Sequence, residues 1–163
     1  MHVTIRAVRE DDAPAIVDLL NPIIRAGTYT IMDEVATVED QIRFIRDLPE
    51  RAIYHAAAEG ERLLGIQDVL PLPGADHIGD VSTFISLSAH RGGIGRGLSR
   101  ATFERARELE YRKLTATIRA DNPGAVSFYR SLGFRVIGTA LEHARVGERY
   151  VDEVLTELLL SGE

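Results

Sequence analysis

The stretch Ser88-Ala-His-Arg-Gly-Gly-Ile-Gly-Arg-Gly-Leu98 constrains the fold more than any other part of this chain. An alternating, β-branched run at residues 81–87 precedes it, and a helical pattern at residues 98–109 follows it. A strand, a glycine-rich turn and a helix start in that order gather several backbone N–H groups at one point. The positive end of the helix dipole adds to them, so the turn is suited to hold a phosphate group. Arg91, Arg96 and Arg100 stand in or beside the turn, although the chain carries a net charge of -6. A P-loop is excluded because no Lys follows the glycines, and a dinucleotide fingerprint because its third glycine falls on Leu98. The plainer alternative is a strand-to-helix turn that binds nothing.

At 163 residues the expectation is one domain spanning 1–163, with enough core to fold alone. No apolar run approaches the length of a membrane span, and residues 1–6 look like a strand instead of a leader. The absence of cysteine excludes disulfides, cysteine nucleophiles and thiolate metal sites. The five histidines, at 2, 55, 77, 90 and 143, show no ligand spacing, so no metal is expected. A cytoplasmic protein without membrane or nucleic-acid partners follows, since no basic face dominates. An anionic ligand held by local arginines stays compatible with the acidic total.

Hydrophobic periodicity orders the rest. Strands are expected at residues 3–7, 53–59, 62–70, 81–87, 113–118, 135–140 and 150–159. Asp12 can cap a first helix carrying Ile16, Leu19, Leu20, Ile23 and Ile24 on one face, which Pro22 should break or kink. Thr37-Val-Glu-Asp40 resembles a capping box for a second helix ending before Pro49. Residues 71–76 read as a loop, and a polar segment joins the last two strands. Asp121-Asn-Pro123 caps a fourth helix that Gly133 closes.

Two motifs carry a resemblance. Gly93 and Gly95 fit the last two fixed places of [Q/R]-x-x-G-x-[G/A], and Asn122-Pro-Gly-Ala-Val-Ser-Phe-Tyr-Arg-Ser-Leu-Gly-Phe134 fits N-x-x-A-x-x-F-Y-x-x-x-G-F. In both, the chain resembles the GCN5-related N-acetyltransferase (GNAT) superfamily; His90 falls where that family has Gln or Arg, with Arg91 one place later. The element order is similar over essentially the whole chain. The resemblance implies an α/β class (α+β, mixed sheet) and the GNAT acyl-CoA N-acyltransferase fold. There the strand before the glycine turn runs parallel to residues 113–118 and splays from it to admit an acyl thioester. It implies acetyl-CoA as cosubstrate. Its pyrophosphate would lie on His90, Arg91, Gly92, Gly93, Ile94, Gly95, Arg96 and Gly97, with Asn122 as a further contact. Thr83, Phe84 and Ile85 would meet the pantetheine amides through their main chain, as one strand meets another. The Tyr129 hydroxyl would sit near the sulfur and protonate the leaving thiolate; the alternative is a core tyrosine with any partner.

The base expected is Asp80, where the phosphinothricin N-acetyltransferase branch has what looks like an equivalent Glu. Being one methylene shorter, Asp favours a bridging water; the alternative is a strand-edge turn residue beside Gly79. Glu34 and His143 are further candidates. Residues 21–30 also resemble that branch, whereas residues 143–149 lack its aromatic, lysine-containing turn. The function implied is transfer of acetyl from acetyl-CoA to a primary amine of a small, amino acid-like acceptor, by direct attack in a ternary complex, since no Cys can form an acyl-enzyme. The alternatives are a peptide or protein N-terminus, a polyamine, or a non-catalytic CoA-binding regulatory domain. A homodimer is the family-level expectation.

Overall fold

A computed structural model describes residues 2–89 and 92–160. In chain order it contains β1 (Thr4–Ala7), a 3₁₀ turn (Glu10–Asp12), α1 (Ala13–Ala26), α2 (Val38–Arg46), β2 (Ile53–Glu59), β3 (Arg62–Leu72) and β4 (Ala75–Ile85). Then follow α3 (Ile94–Glu108), β5 (Lys113–Arg119), α4 (Pro123–Ser131), β6 (Arg135–Val146) and β7 (Arg149–Leu159). The strands make one seven-stranded sheet in the order β1-β2-β3-β4-β5-β7-β6. On one face, α1 buries Ile16, Leu19, Leu20, Ile23 and Ile24 against Tyr54, Ala56, Ala58, Leu63 and Ile66, with Ile45 and Leu48 from the α2 region. On the other, Phe103 and Ala106 of α3 and Tyr129 of α4 pack with Val69, Val81, Leu114, Ala116 and Ile118. Among the described residues, no helix is long and apolar enough to cross a membrane.

Pro22 does not break α1, which runs through it to Ala26. The carbonyl that loses its i+4 donor belongs to Asp18, on the exposed side of the helix, where water can serve it. The apolar face opposite stays packed, and that packing decides. At α2 the Thr37 hydroxyl accepts from Asp40 N at 3.1 Å, but the Asp40 carboxylate turns to Arg43, so a single cap replaces the expected box.

The expected loop at residues 71–76 is mostly strand: β3 continues to Leu72 and β4 starts at Ala75, around a turn with Gly74 at φ 78°. Pro71 is tolerated because β2 pairing ends at Ile53↔Val69, leaving no strand on that side to want its missing N–H. The polar segment between the last strands is also strand, β6 reaching Val146 and β7 starting at Arg149. Most of β6 is exposed on both faces, so no apolar alternation marked its continuation beyond residue 140.

One irregularity positions everything that follows. β4 and β5 run parallel and pair at Ile78↔Lys113, Gly79↔Leu114 and Asp80↔Thr115, and the pairing stops there. β4 continues to Ile85 and β5 to Arg119, so the sheet opens between them.

Candidate active site

On the α3 side of this opening, Gly93 caps α3 at φ 71° without any side-chain hydrogen bond. An L-residue would be strained there by about 1–2 kcal/mol. Gly97 N donates to Gly93 O at 3.0 Å, which leaves the N–H groups of Ile94, Gly95 and Arg96 ahead of the helical ladder and ready for an anion. At Gly95 a Cβ would stand 2.9 Å from Phe128 Cζ, so only glycine lets the first turn of α3 lie this close to α4.

A cavity of about 430 Å³ lies between these elements. Thr83, Phe84 and Ile85 line it from β4, and Gly93, Ile94, Gly95 and Arg96 from α3. Asn122 and Tyr129 line it from α4 and its cap. Leu87, Ala89, Gly124, Ala125 and Phe128 also line it; Ala125 and Phe128 are fixed places of the second motif, and none of the five was given a site role from the sequence. Gly92 is exposed beside it, and Gly97 sits one residue behind it with its N–H used by the helix. His90 and Arg91 lie outside the described residues. Asn122 also serves as N-cap, its Oδ1 accepting from Ala125 N at 3.2 Å.

The far wall comes from α1 and the chain after it. Ile23 and Tyr29 line the same cavity, and the loop at residues 27–36 is tied down from three sides. Arg119, itself buried, forks onto Asp121 and donates to the carbonyls of Gly27 and Thr30, each at 2.9 Å. The Asn21 amide bonds both backbone groups of Ala36, and Asp33 accepts from Gly147 N at 2.9 Å.

Tyr129 is 6% exposed and wedged edge-on between Phe128 and Phe134, with both ring centroids 5.2 Å away. Its hydroxyl lies 2.8 Å from Thr83 Oγ1. Burial pushes its pKa up, and the Thr83 bond opposes the shift. Behind Thr83 runs a hidden polar row: Gln67 Nε2 donates to Thr83 Oγ1 and Ser99 Oγ, both at 2.9 Å, and Ser99 Oγ donates to Gly95 O at 2.7 Å. The sequence reading missed Gln67 and Ser99; the polar pair Gln67–Asp68 inside a mostly apolar strand run was the signal.

Asp80 occupies neither a strand start nor the same cavity. β4 begins at Ala75, so Asp80 is an interior strand residue and the last to pair with β5. Strand alternation points it to the face opposite Thr83, where a second cavity lies between the β3–β4 turn and α2, with Leu70 and Arg43 beside it. Thr115 Oγ1 donates to Asp80 Oδ1 at 2.8 Å. Asp68, absent from the sequence reading, is its diagonal neighbour, because Asp68 pairs with Ser82 and Leu70 with Asp80. Burial pushes the Asp68 carboxyl up to about 7, and the charge of Asp80 adds to the shift. Asp80 is itself raised by burial and held back by the Thr115 bond. Glu153 is likewise raised, by burial first. The opening therefore joins two unlike faces, one with backbone donors and a phenol, the other with desolvated carboxylates. Among the described residues, no group of three His, Cys, Asp or Glu side chains could hold a metal.

The family described as acetyltransferase (GNAT) domain matches residues 5–155. Of the solved structures, a ribosomal-protein-alanine N-acetyltransferase from Brucella melitensis superposes with a TM-score of 0.87 at 24% identity, covering 96% of this chain and 99% of that one. A GNAT superfamily phosphinothricin acetyltransferase from Sinorhizobium meliloti, in complex with acetyl-CoA, gives 0.88 at 18% identity over 98% and 89%. A GCN5-related N-acetyltransferase from Kribbella flavida gives 0.82 at 26% over 96% and 97%. No curated protein matches the sequence significantly.

Proposed function

The chain belongs to the GNAT acetyltransferases, and from that premise we propose that it moves acetyl from acetyl-CoA to the primary amine of a small acceptor by direct attack, with both substrates bound. The observation that carries this is the end of β4–β5 pairing at Asp80↔Thr115, with Tyr129 on one side of the opening and Asp80 on the other. The residues present fit acetyl-CoA: the cap at Gly93 puts no side chain over the N–H groups of the first turn, and Gly95 lets that turn approach Phe128, which leaves a donor-lined hollow.

Acetyl-CoA supplies an acyl carbon activated by a thiol leaving group. The N–H groups of Ile94, Gly95 and Arg96 hold its pyrophosphate. The β4 edge at Thr83, Phe84 and Ile85, freed from β5 beyond Asp80, takes the pantetheine amides. Asp80, or a water it holds, accepts the amine proton as the C–N bond forms. Tyr129 gives its proton to the departing sulfur as the C–S bond breaks, so the products are an N-acetylamine and a neutral thiol. The enclosing loop at residues 27–36 keeps bulk water from competing with the amine.

The acceptor is first an amino acid-like amine. A second reading, a polyamine, draws support from the acceptor face: Asp68, Asp80 and Glu153 favour a cation, while the Arg119 guanidinium is already engaged by Asp121 and two carbonyls. Thiol release from acetyl-CoA with amino acids, an N-terminal peptide and spermidine tests both. Amine-dependent release supports transfer, and the preferred amine selects the acceptor. CoA binding without release by any amine would favour a regulatory domain and overturn the proposal. A homodimer belongs to the same proposal, supported by the exposed Val136, Ile137, Leu141 and Tyr150 on the β6–β7 edge; sedimentation of the purified chain checks it.

A further inference from the structure

Gln67 is wholly enclosed, with a relative exposure of 0%, under the first turns of α3. It stands directly opposite Thr83 on β4 and reaches Ser99 on α3. Its Oε1 is buried and finds no hydrogen-bond partner among the described residues. A buried amide with an unpaired carbonyl is a poor core filler, because an apolar side chain of similar volume would avoid the desolvation penalty. The proton count shows what the amide does instead. Ser99 has one hydroxyl proton and places it on Gly95 O, so toward Gln67 it can only accept. That fixes the amide with its nitrogen toward Ser99 and Thr83. The reversed amide would set Oε1 against the Ser99 lone pairs and bury two unpaired N–H groups. With one amide proton on Ser99, the other goes to Thr83 Oγ1. Thr83 then has its own proton to place, and the acceptor at hand is the Tyr129 oxygen at 2.8 Å.

We propose that Gln67 is a positioning residue that makes Thr83 the donor to the Tyr129 oxygen, leaving the phenolic proton free to face the thioester side of the cavity. Without Gln67, Thr83 and Tyr129 can exchange roles, and Tyr129 can spend its only proton on Thr83. The donated bond also stabilises negative charge on the tyrosine oxygen as its proton leaves. The row Gly95–Ser99–Gln67–Thr83–Tyr129 thereby fixes a proton direction at the sulfur from a helix turn at the pyrophosphate. This inference rests on Tyr129 as the acid, and the experiment separates the two.

The experiment measures ionisation of the CoA thiol in the binary complex, from its thiolate ultraviolet absorbance against pH, together with thermal midpoints. The proteins compared are wild type, Gln67→Leu, Thr83→Val and Tyr129→Phe. A phenolic proton aimed at the sulfur favours the thiolate, so the wild type should ionise bound CoA at lower pH than Tyr129→Phe does. Gln67→Leu and Thr83→Val should each lose part of that difference. They should also slow acetyl-CoA turnover with an accepted amine about two- to tenfold, the worth of one ordinary hydrogen bond. Gln67→Leu should melt no lower than wild type, since it removes an unpaired carbonyl; a merely structural Gln67 would lower the midpoint and leave thiol ionisation alone. Wild-type ionisation in Gln67→Leu, beside a clear shift in Tyr129→Phe, would overturn the inference and leave the tyrosine reading standing. Should Gln67→Leu fail to fold, Gln67→Met takes its place, and wild-type ionisation in that variant would overturn the inference equally. No shift in Tyr129→Phe would remove the acid role itself, and the inference with it.

Discussion

Asp68 and Asp80 share one face of the sheet, and their surroundings set the pH behaviour expected of the acceptor side. Burial holds Asp68 in the folded chain at about 7, against an ordinary carboxylate near 4. A folded-state pKa above the unfolded one means that the neutral form is favoured by folding. That stability is complete below the unfolded value and lost as pH rises through about 7. Asp68→Asn should therefore raise the thermal midpoint at about pH 8 and leave it nearly unchanged near pH 4; no gain at the higher pH would contradict the burial argument. Because the charge of Asp80 acts on Asp68, kcat/KM should rise with an apparent pKa to which both carboxyls contribute. Asp80→Asn removes the charge that raises Asp68, so it should lower activity most at neutral pH and move the remaining rise to lower pH. A pH–rate profile with one accepted amine measures this; curves offset by the same factor at every pH would assign Asp80 to positioning. Tyr129 and Asn122 were legible in the sequence because their motif is contiguous. Asp68 and Gln67 were not, since what brings each to its neighbours is strand register, which a linear sequence does not print.

At the scale of elements, the glycines of the turn divide by what surrounds them. A Cβ at Gly95 would meet Phe128 Cζ at 2.9 Å and Cε1 at 3.0 Å, whereas at Gly97 the nearest atom would be 4.0 Å away. Gly95→Ala should thus push α3 from α4 and weaken CoA binding by about tenfold or more, the size of a small overpacking penalty of 1–3 kcal/mol. Gly97→Ala should bind CoA as wild type does and gain about 0.5–1 kcal/mol from helix propensity. Calorimetry with CoA and thermal melts check both, and equal affinities for the two variants would contradict the packing described. These same glycines hid the start of α3, which begins at Ile94, one turn before the Leu98 at which the helical pattern was read. Pro22 and Pro71 misled for a related reason: each removes a donor where no partner is wanted. The strands at 135–140 and 150–159 were read, but the extension of β6 to Val146 was not, because its exposed faces carry no apolar alternation.

For the molecule as a whole, the parallel pairing of β4 with β5 was expected from the resemblance that the two motifs carry, while the strand order was read only in the structure. The point at which that pairing ends, and hence which residues face which side, required the structure. In the proposed mechanism the opening beyond Asp80↔Thr115 is a passage between a CoA face and an amine face, with Tyr129 supplying the proton to the sulfur. The most direct measurement is Tyr129→Phe, assayed for turnover with an accepted amine and for CoA affinity by calorimetry. Loss of the hydroxyl leaves the ring wedged between Phe128 and Phe134, so CoA affinity should stay near wild type. Turnover should fall roughly ten- to a thousandfold, within the range of general acid catalysis. Wild-type turnover with unchanged CoA affinity would contradict the account.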